Sequence, residues 1–348
     1  MHCYALVNSG LGQLAQQELR ELFDISSTVT GSIVEFSLKQ KEQLPLLLSR
    51  VQSPRRILIA LAKSKGFENL TFFDVPWKEL LPHSFSFKVE VENVSGQENR
   101  FEIAKVVAGK LFTLFESSGL IATMELKHPE LLFVIYHDHD TYYLGLDGDG
   151  EIDARQYRVF PHAAAFKGDL AYYFLRASGY QIGEKLVVGF ARDGSIAIEA
   201  ALLSASLPVR EVKRFRMTAS TIVKPVASPL IFGFDPAMPS IIAARKNAKI
   251  AGVAPLIHLS RHTLDELDVK FSPNEIDRLI VHLTRKDEDK INELYYQASY
   301  ILKPKGTLLI IGRSTLEISA PEKFILVEKK EVLRGENAYG MWLMEKKG

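Results

Sequence analysis

The sequence predicts an α/β chain in two parts: a small α+β region, then a doubly wound, mostly parallel sheet. Three observations predict it. From residue 163 on, apolar strands alternate with amphipathic helices, the order that gives a parallel sheet covered by helices on both faces. Residues 186–203, LVVGFARDGSIAIEAALL, read as strand, turn and helix, and a nucleotide-type ligand sits at the carboxyl end of such a strand. Before residue 150 the elements are shorter and include a hairpin.

Taken in order, residues 4–8 form an apolar strand and Ser9-Gly10 a turn. Leu11, Leu14, Ala15, Leu19, Leu22 and Phe23 then recur at helical spacing. Residues 31–38 predict a strand and 41–49 a helix. Phe85, Phe87, Val89 and Val91 alternate with polar neighbours, as in a half-buried strand. Ile103, Val106, Val107, Leu111, Leu114 and Phe115 make one helical stripe. Residues 131–136 and 141–146 are strands joined by His137-Asp138-His139-Asp140. Alternating His and Asp on a strand point to opposite faces, so this run predicts a turn rather than a metal site.

In the second part, helices are predicted at 164–178, 195–206, 239–251 and 287–302. Strands are predicted at 185–190, 230–234, 256–259, 277–283 and 307–312, with a closing antiparallel pair at 324–329 and 339–345.

The totals set bounds. The 348 residues suggest two domains; 47% are hydrophobic and 24% charged, the balance of a water-soluble globular protein. With 43 Lys+Arg against 42 Asp+Glu the net charge is +1, so any nucleic-acid surface must be local. Cys3, the single cysteine, can form neither an internal disulfide nor a zinc cage, which favours a cytoplasmic setting. The first residues lack a signal-peptide pattern, and no apolar run reaches the ~18 residues of a membrane span.

A family resemblance follows from the order of these parts. Residues 85–110, then Leu126, Pro129, the apolar run 131–136, Tyr143, Gly145 and Leu146, resemble a THUMP domain, and YALVNSGLGQLAQQEL resembles the ferredoxin-like domain that precedes it. The rest is similar to a class I S-adenosylmethionine (SAM) methyltransferase, and the whole to the THUMP-linked enzymes that methylate exocyclic guanine nitrogens of tRNA or rRNA. The resemblance implies a ferredoxin-like domain at 1–60, a THUMP domain at 61–150, a linker at 151–162 and a Rossmann-like methyltransferase domain at 163–348. It implies tRNA or another structured RNA as partner, with Arg55, Arg56, Lys63, Lys65, Lys105, Lys110, Lys127 and Arg155 as the group that meets phosphate. Arg210, Lys213, Arg214, Arg216 and Lys224 either flank the same RNA path or form a solvated loop.

The cofactor implied is SAM, with Gly189, Phe190, Gly194, Ser195, Asp235 and Thr263 at its binding positions. Asp235 ends the second strand of the sheet, where an acid accepts the ribose hydroxyls. Thr263 stands where the family has an acid for the adenine amine; Asp265 is two residues further on.

The chain departs from the family's pattern in the same places. The first motif, D-P-x-C-G-S-G-T, reads Val188-Gly189-Phe190-Ala191-Arg192-Asp193-Gly194-Ser195. Arg192 replaces a glycine at which the protein backbone approaches the ligand closely, and it either lines or blocks the pocket. The catalytic N-P-P-[YF] reads His282-Leu283-Thr284-Arg285, without amide, proline or ring. Methyl transfer depends on near-attack geometry, so losing a positioning loop is costly. A neutral His282 could accept one amine proton; His162 and His262 pair with no nucleophile in sequence.

Two functions remain open: a diverged methyltransferase, or a non-catalytic paralogue that binds RNA or a protein partner. A nicotinamide enzyme is a distant third, because Gly189 and Gly194 have the wrong spacing for G-x-G-x-x-G.

Overall fold

A computed structural model describes residues 1–212, 230–285, 287–334 and 337–348. They form two compact units: Met1–Leu48 with Pro54–Glu151, and Ser49–Ser53 with Ile152–Val212 and residue 230 onward.

The first unit contains β1 (His2–Leu6), α1 (Gly12–Phe23), β2 (Ser27–Thr30), β3 (Ile33–Ser37), α2 (Gln43–Arg50), β4 (Arg56–Ser64), α3 (Trp77–Leu80), β5 (Ser84–Glu92), α4 (Gln97–Ser117), β6 (Ile121–Met124), β7 (Leu131–Asp138) and β8 (Thr141–Asp147). Its eight strands form one sheet in the order β2-β3-β1-β4-β8-β7-β5-β6. Strand β4 pairs with β1 on one side and β8 on the other, so residue 60, expected to close a first domain, lies inside a shared central strand. Residues Arg56–Ala62 of β4 are all buried. Such a strand carries a continuous apolar run, RILIALA, instead of alternation. Helix α4 buries Ile103, Val107, Leu111 and Phe115, one residue per turn. Phe115 meets Phe85 at 5.1 Å and Phe87 at 5.6 Å, edge to face. In the His137–Asp140 run, Asp138 accepts a hydrogen bond from the Ser32 amide at 2.9 Å and His139 takes φ 52° at the turn. Cys3 is buried on β1, which pushes its thiol up to about 12.

The second unit contains α5 (Gly168–Ala177), β9 (Leu186–Gly189), α6 (Ser195–Ala205), β10 (Ile231–Phe234), α7 (Met238–Ile250), β11 (Ile257–Ser260), α8 (Leu267–Lys270), β12 (Ile276–His282), α9 (Glu288–Ile301), β13 (Leu302–Arg313), β14 (Phe324–Arg334) and β15 (Asn337–Lys346). The sheet order is β11-β10-β9-β12-β13-β15-β14. Strands β9 to β13 run parallel; β15 and β14 add the antiparallel edge. The chain winds outward from β9 through β10 to β11, then returns to β12 on the other side. The β9/β12 junction is therefore the topological switch point, where α/β sheets open a crevice at the carboxyl ends of their strands. Residues 151–162, expected as a linker, hold no helix or strand, yet Ile152, Asp153, Arg155 and Tyr157 are buried. The helix expected from 164 begins at Gly168, after an extended Lys167.

Among the described residues no helix is long and apolar enough to cross a membrane.

Candidate functional site

The turn from β9 to α6 is built from the inside. Phe190, Arg192 and Gly194 have φ of 52°, 52° and 83°, and alternate with right-handed or extended neighbours. Left-handed backbone costs a side-chain-bearing residue about 1–2 kcal/mol, so something must hold it. The amides of Ala191 and Arg192 donate to the Phe234 carbonyl (2.8 Å) and to Asp235 Oδ2 (3.1 Å), and the Gly194 amide donates to the Ala191 carbonyl (2.7 Å). Gly194 also lets α7 approach: an added Cβ would lie 3.0 Å from the Ala244 Cβ.

Asp193 secures the start of α6. Its Oδ1 accepts from the Ser195 amide and hydroxyl (3.2 and 2.6 Å), and its Oδ2 from Arg158 Nε and the His162 amide (2.8 and 3.2 Å). The Asp-Gly-Ser sequence just before an apolar helix was the available signal for this role. Behind it, Glu199 takes two parallel hydrogen bonds from Arg155 at 2.8 and 2.9 Å, one from the Tyr157 hydroxyl at 2.6 Å and one from Gln52 Nε2 at 2.6 Å. Neither Arg155 nor Glu199 exposes any side chain. Glu199 and its neighbours hold the Arg155 charge well above the usual guanidinium range despite burial. Arg155, expected among the phosphate contacts, is thus a buried framework residue.

The predicted cofactor residues lie around the same crevice. Gly189 ends β9, and a Cβ there would press on Phe234 at 2.9 Å and Val281 at 3.1 Å. Phe190 is half-buried, and Ser195 is spent on Asp193. Asp235 follows β10 with 5% exposure; its Oδ1 accepts from the Ala237 amide at 2.9 Å and its Oδ2 from the Arg192 amide. Thr263 turns elsewhere: it caps the short turn at Leu264–Glu266 in a reciprocal pair with Glu266, with Asp265 exposed beside it. The neighbouring His262, read as unpaired in sequence, is buried and stacked on Phe234 at 4.5 Å and 18°. Burial lowers its pKa.

Across the crevice, His282 ends β12. The Arg192 guanidinium reaches over from β9 and donates to the His282 carbonyl at 3.3 Å. The His282 ring packs on Phe166, with centroids 4.4 Å apart. Burial, then the Arg192 charge, drive the imidazole down to about 3, so it is neutral at physiological pH. Leu283 is buried, while Thr284 and Arg285 are exposed. The four residues offer one imidazole, one hydroxyl and one guanidinium, but no carboxylate, amide or Phe or Tyr ring.

The basic residues of the first unit fare differently. Arg56 is buried among Glu92, Asp147 and Glu151, a position that removes it from any phosphate. Arg55 pairs with Glu92 and Glu151, Lys63 with Glu35, and Lys65 with Asp140. Lys105 and Lys127 are exposed and Lys110 is half-buried. Arg210 is half-buried; Lys213, Arg214, Arg216 and Lys224 lie outside the described residues. Among the described residues no three His, Cys, Asp or Glu side chains cluster as metal ligands would.

Comparisons with known proteins agree with this architecture. Residues 155–311 match the family model described as RMKL-like, methyltransferase domain. Ribosomal RNA large subunit methyltransferase K/L of Syntrophotalea carbinolica is 24% identical over 310 residues, 80% of this chain and 43% of that protein, so the chain spans less than half of that relative. A tRNA (guanine(6)-N2)-methyltransferase of Archaeoglobus fulgidus is 23% identical over 282 residues, 76% of this chain and 70% of that protein. TrmN from Thermus thermophilus superposes with a TM-score of 0.73 at 19% identity over 99% of both chains. SMU.472, solved in complex with SAH, superposes at 0.72 with 19% identity over 98% of this chain and 97% of that one. The sequence likeness to the RMKL-like methyltransferase domain thus falls within the second unit, and the solved structures share the fold of the chain.

Proposed function

We propose that this chain is an RNA-binding protein of the methyltransferase fold, kin to enzymes that methylate guanine N2 in tRNA or rRNA, in which the transfer step has been set aside. Its first unit, read as a ferredoxin-like domain and a THUMP domain, would hold a tRNA or another structured RNA. Exposed Lys105 and Lys127 are the phosphate contacts that burial and pairing leave to it.

The cofactor that goes with such a domain is SAM, which supplies a methyl group on a sulfonium. The residues here fit it unequally. Asp235, at the end of β10, and the amide-rich turn into α6 suit the adenosine part. The methyl-bearing end would meet Arg192, a fixed positive charge facing a positive sulfonium.

The observation that carries the proposal is the Arg192 guanidinium lying on the His282 carbonyl, across the β9/β12 crevice, beside a loop without the carboxylate or amide that would orient an amine. The relatives' names favour the active reading, and one experiment separates the two. Calorimetry with SAM and with SAH, which lacks the sulfonium charge, should show SAH bound at least about tenfold more tightly, a difference of about 1.4 kcal/mol. Incubation with labelled SAM and bulk tRNA or rRNA should leave the RNA unlabelled. Labelled RNA would overturn the proposal in favour of a working methyltransferase.

A further inference from the structure

Three basic side chains line the crevice. Phe190, Arg192, His282, Arg285, Asp287 and Lys290 wall a cleft of about 260 Å³. Arg192, Arg285 and Lys290 bring three positive charges. Asp287 also lines the cleft and is engaged at the start of α9, accepting the Lys290 amide at 3.2 Å and pairing with Lys290 Nζ at 3.2 Å, while Asp235 and Asp193 lie close enough to act on the Arg192 charge. Arg285 and Lys290 are exposed, so their charges face incoming solutes. Two nitrogens on the inner wall, Arg192 Nε and His282 Nδ1, are buried without a hydrogen-bond partner. Phe190 gives the cleft an aromatic wall on the β9 side.

A cationic sulfonium is the wrong charge for such a lining; a phosphate is the right one, and guanidinium groups bind it well. We propose that this cleft binds a phosphate ester of an RNA nucleotide, with Arg192, Arg285 and Lys290 on the phosphate and Phe190 against the base. The RNA source of the nucleotide rests on the RNA-binding reading above; the phosphate chemistry does not.

The full chain would be titrated calorimetrically with inorganic phosphate, AMP and a short single-stranded oligoribonucleotide, alongside Arg285→Glu and Lys290→Glu. Both substitutions are on exposed positions, and a thermal melt checks that the variants fold. AMP should bind at least about fivefold more tightly than inorganic phosphate, because a stacked base adds to the ionic contact. Each charge reversal should weaken AMP about tenfold and reduce the log–log salt slope for the oligonucleotide by about 0.7, one single-strand phosphate contact. Absence of AMP binding, or equal AMP affinity in wild type and both variants, overturns the inference. Equal affinity for AMP and phosphate overturns the role of Phe190 and leaves a plain anion site. If the oligonucleotide binds but responds only to Lys105→Glu and Lys127→Glu, the RNA-binding reading stands and the cleft assignment fails. If AMP binds in a cleft-dependent way while no RNA binds, the reverse holds.

Discussion

The β9–α6 turn has two sides, and they are held very differently. On the inner side the bonds are many: Asp193 accepts four, and Glu199 takes those of Arg155, Tyr157 and Gln52, all buried. On the crevice side Arg192 hangs on a single 3.3 Å bond, with its Nε unsatisfied, opposite a histidine whose Nδ1 is also unsatisfied. The side chains that place the helix and the turn are held by several short bonds each, while those on the crevice side are held by few. Placing the turn and lining the crevice therefore depend on different side chains.

The largest effect should come from breaking the inner side. Glu199→Ala leaves the Arg155 guanidinium buried without its counter-charge and should cost about 3–5 kcal/mol in urea unfolding. A loss below about 1 kcal/mol would mean that the inner network is not the framework described. The crevice side has its own signature in pH. The folded-state pKa of His282 is about 3, below its ordinary 6.5, so the unfolded chain takes up a proton that the folded chain refuses. Stability on this account is full above pH 6.5 and falls with decreasing pH, by up to about 1.4 kcal/mol per unit, or about 2 kcal/mol by pH 5. His282→Asn should flatten that slope; an unchanged slope would show that the imidazole is not shielded as the fold suggests. Next in size is Gly168→Ala, at the first turn of α5. An added Cβ would lie 2.3 Å from Arg155 Nε, and Arg155 cannot move without losing Glu199. Overpacking of this kind should cost about 1–3 kcal/mol, read from the same unfolding curves.

How much of this was legible in the sequence follows the same division. The order of strands and helices from β9 to β13 could be read because each is a short, well-separated apolar segment. The places of Arg192 and of His282–Arg285 at the ends of β9 and β12 could be read as well, because they sit at fixed points in that order. Strand β4 was missed: buried along its whole apolar run, it shows no alternation to mark it as a strand. Arg155 was read as a phosphate contact because its partner Glu199 lies 44 residues away and no local pattern links them. The stacking of His262 on Phe234 is likewise a contact between two strand ends, visible only once β10 and β11 lie side by side. Local periodicity fixes elements, whereas the fate of a single charged side chain depends on what the fold brings next to it.

The smallest stability change, and the sharpest test of the comparison, belongs to Arg192→Ala. The guanidinium makes one long hydrogen bond and burial lowers its pKa, so removing it should shift stability by no more than about 0.5–1 kcal/mol in either direction. Its left-handed backbone is held by the Arg192 amide on Asp235, a bond that alanine keeps. The change in ligand preference should be larger. With the charge gone, the preference for SAH over SAM expected of the wild type should shrink from about tenfold to within about twofold, since the two ligands then differ little in their fit to the crevice. A variant that keeps the full preference would show that Arg192 lines the crevice without opposing the sulfonium. Methyl transfer should stay absent in this variant, because residues 282–285 still hold no carboxylate or amide to orient the acceptor amine.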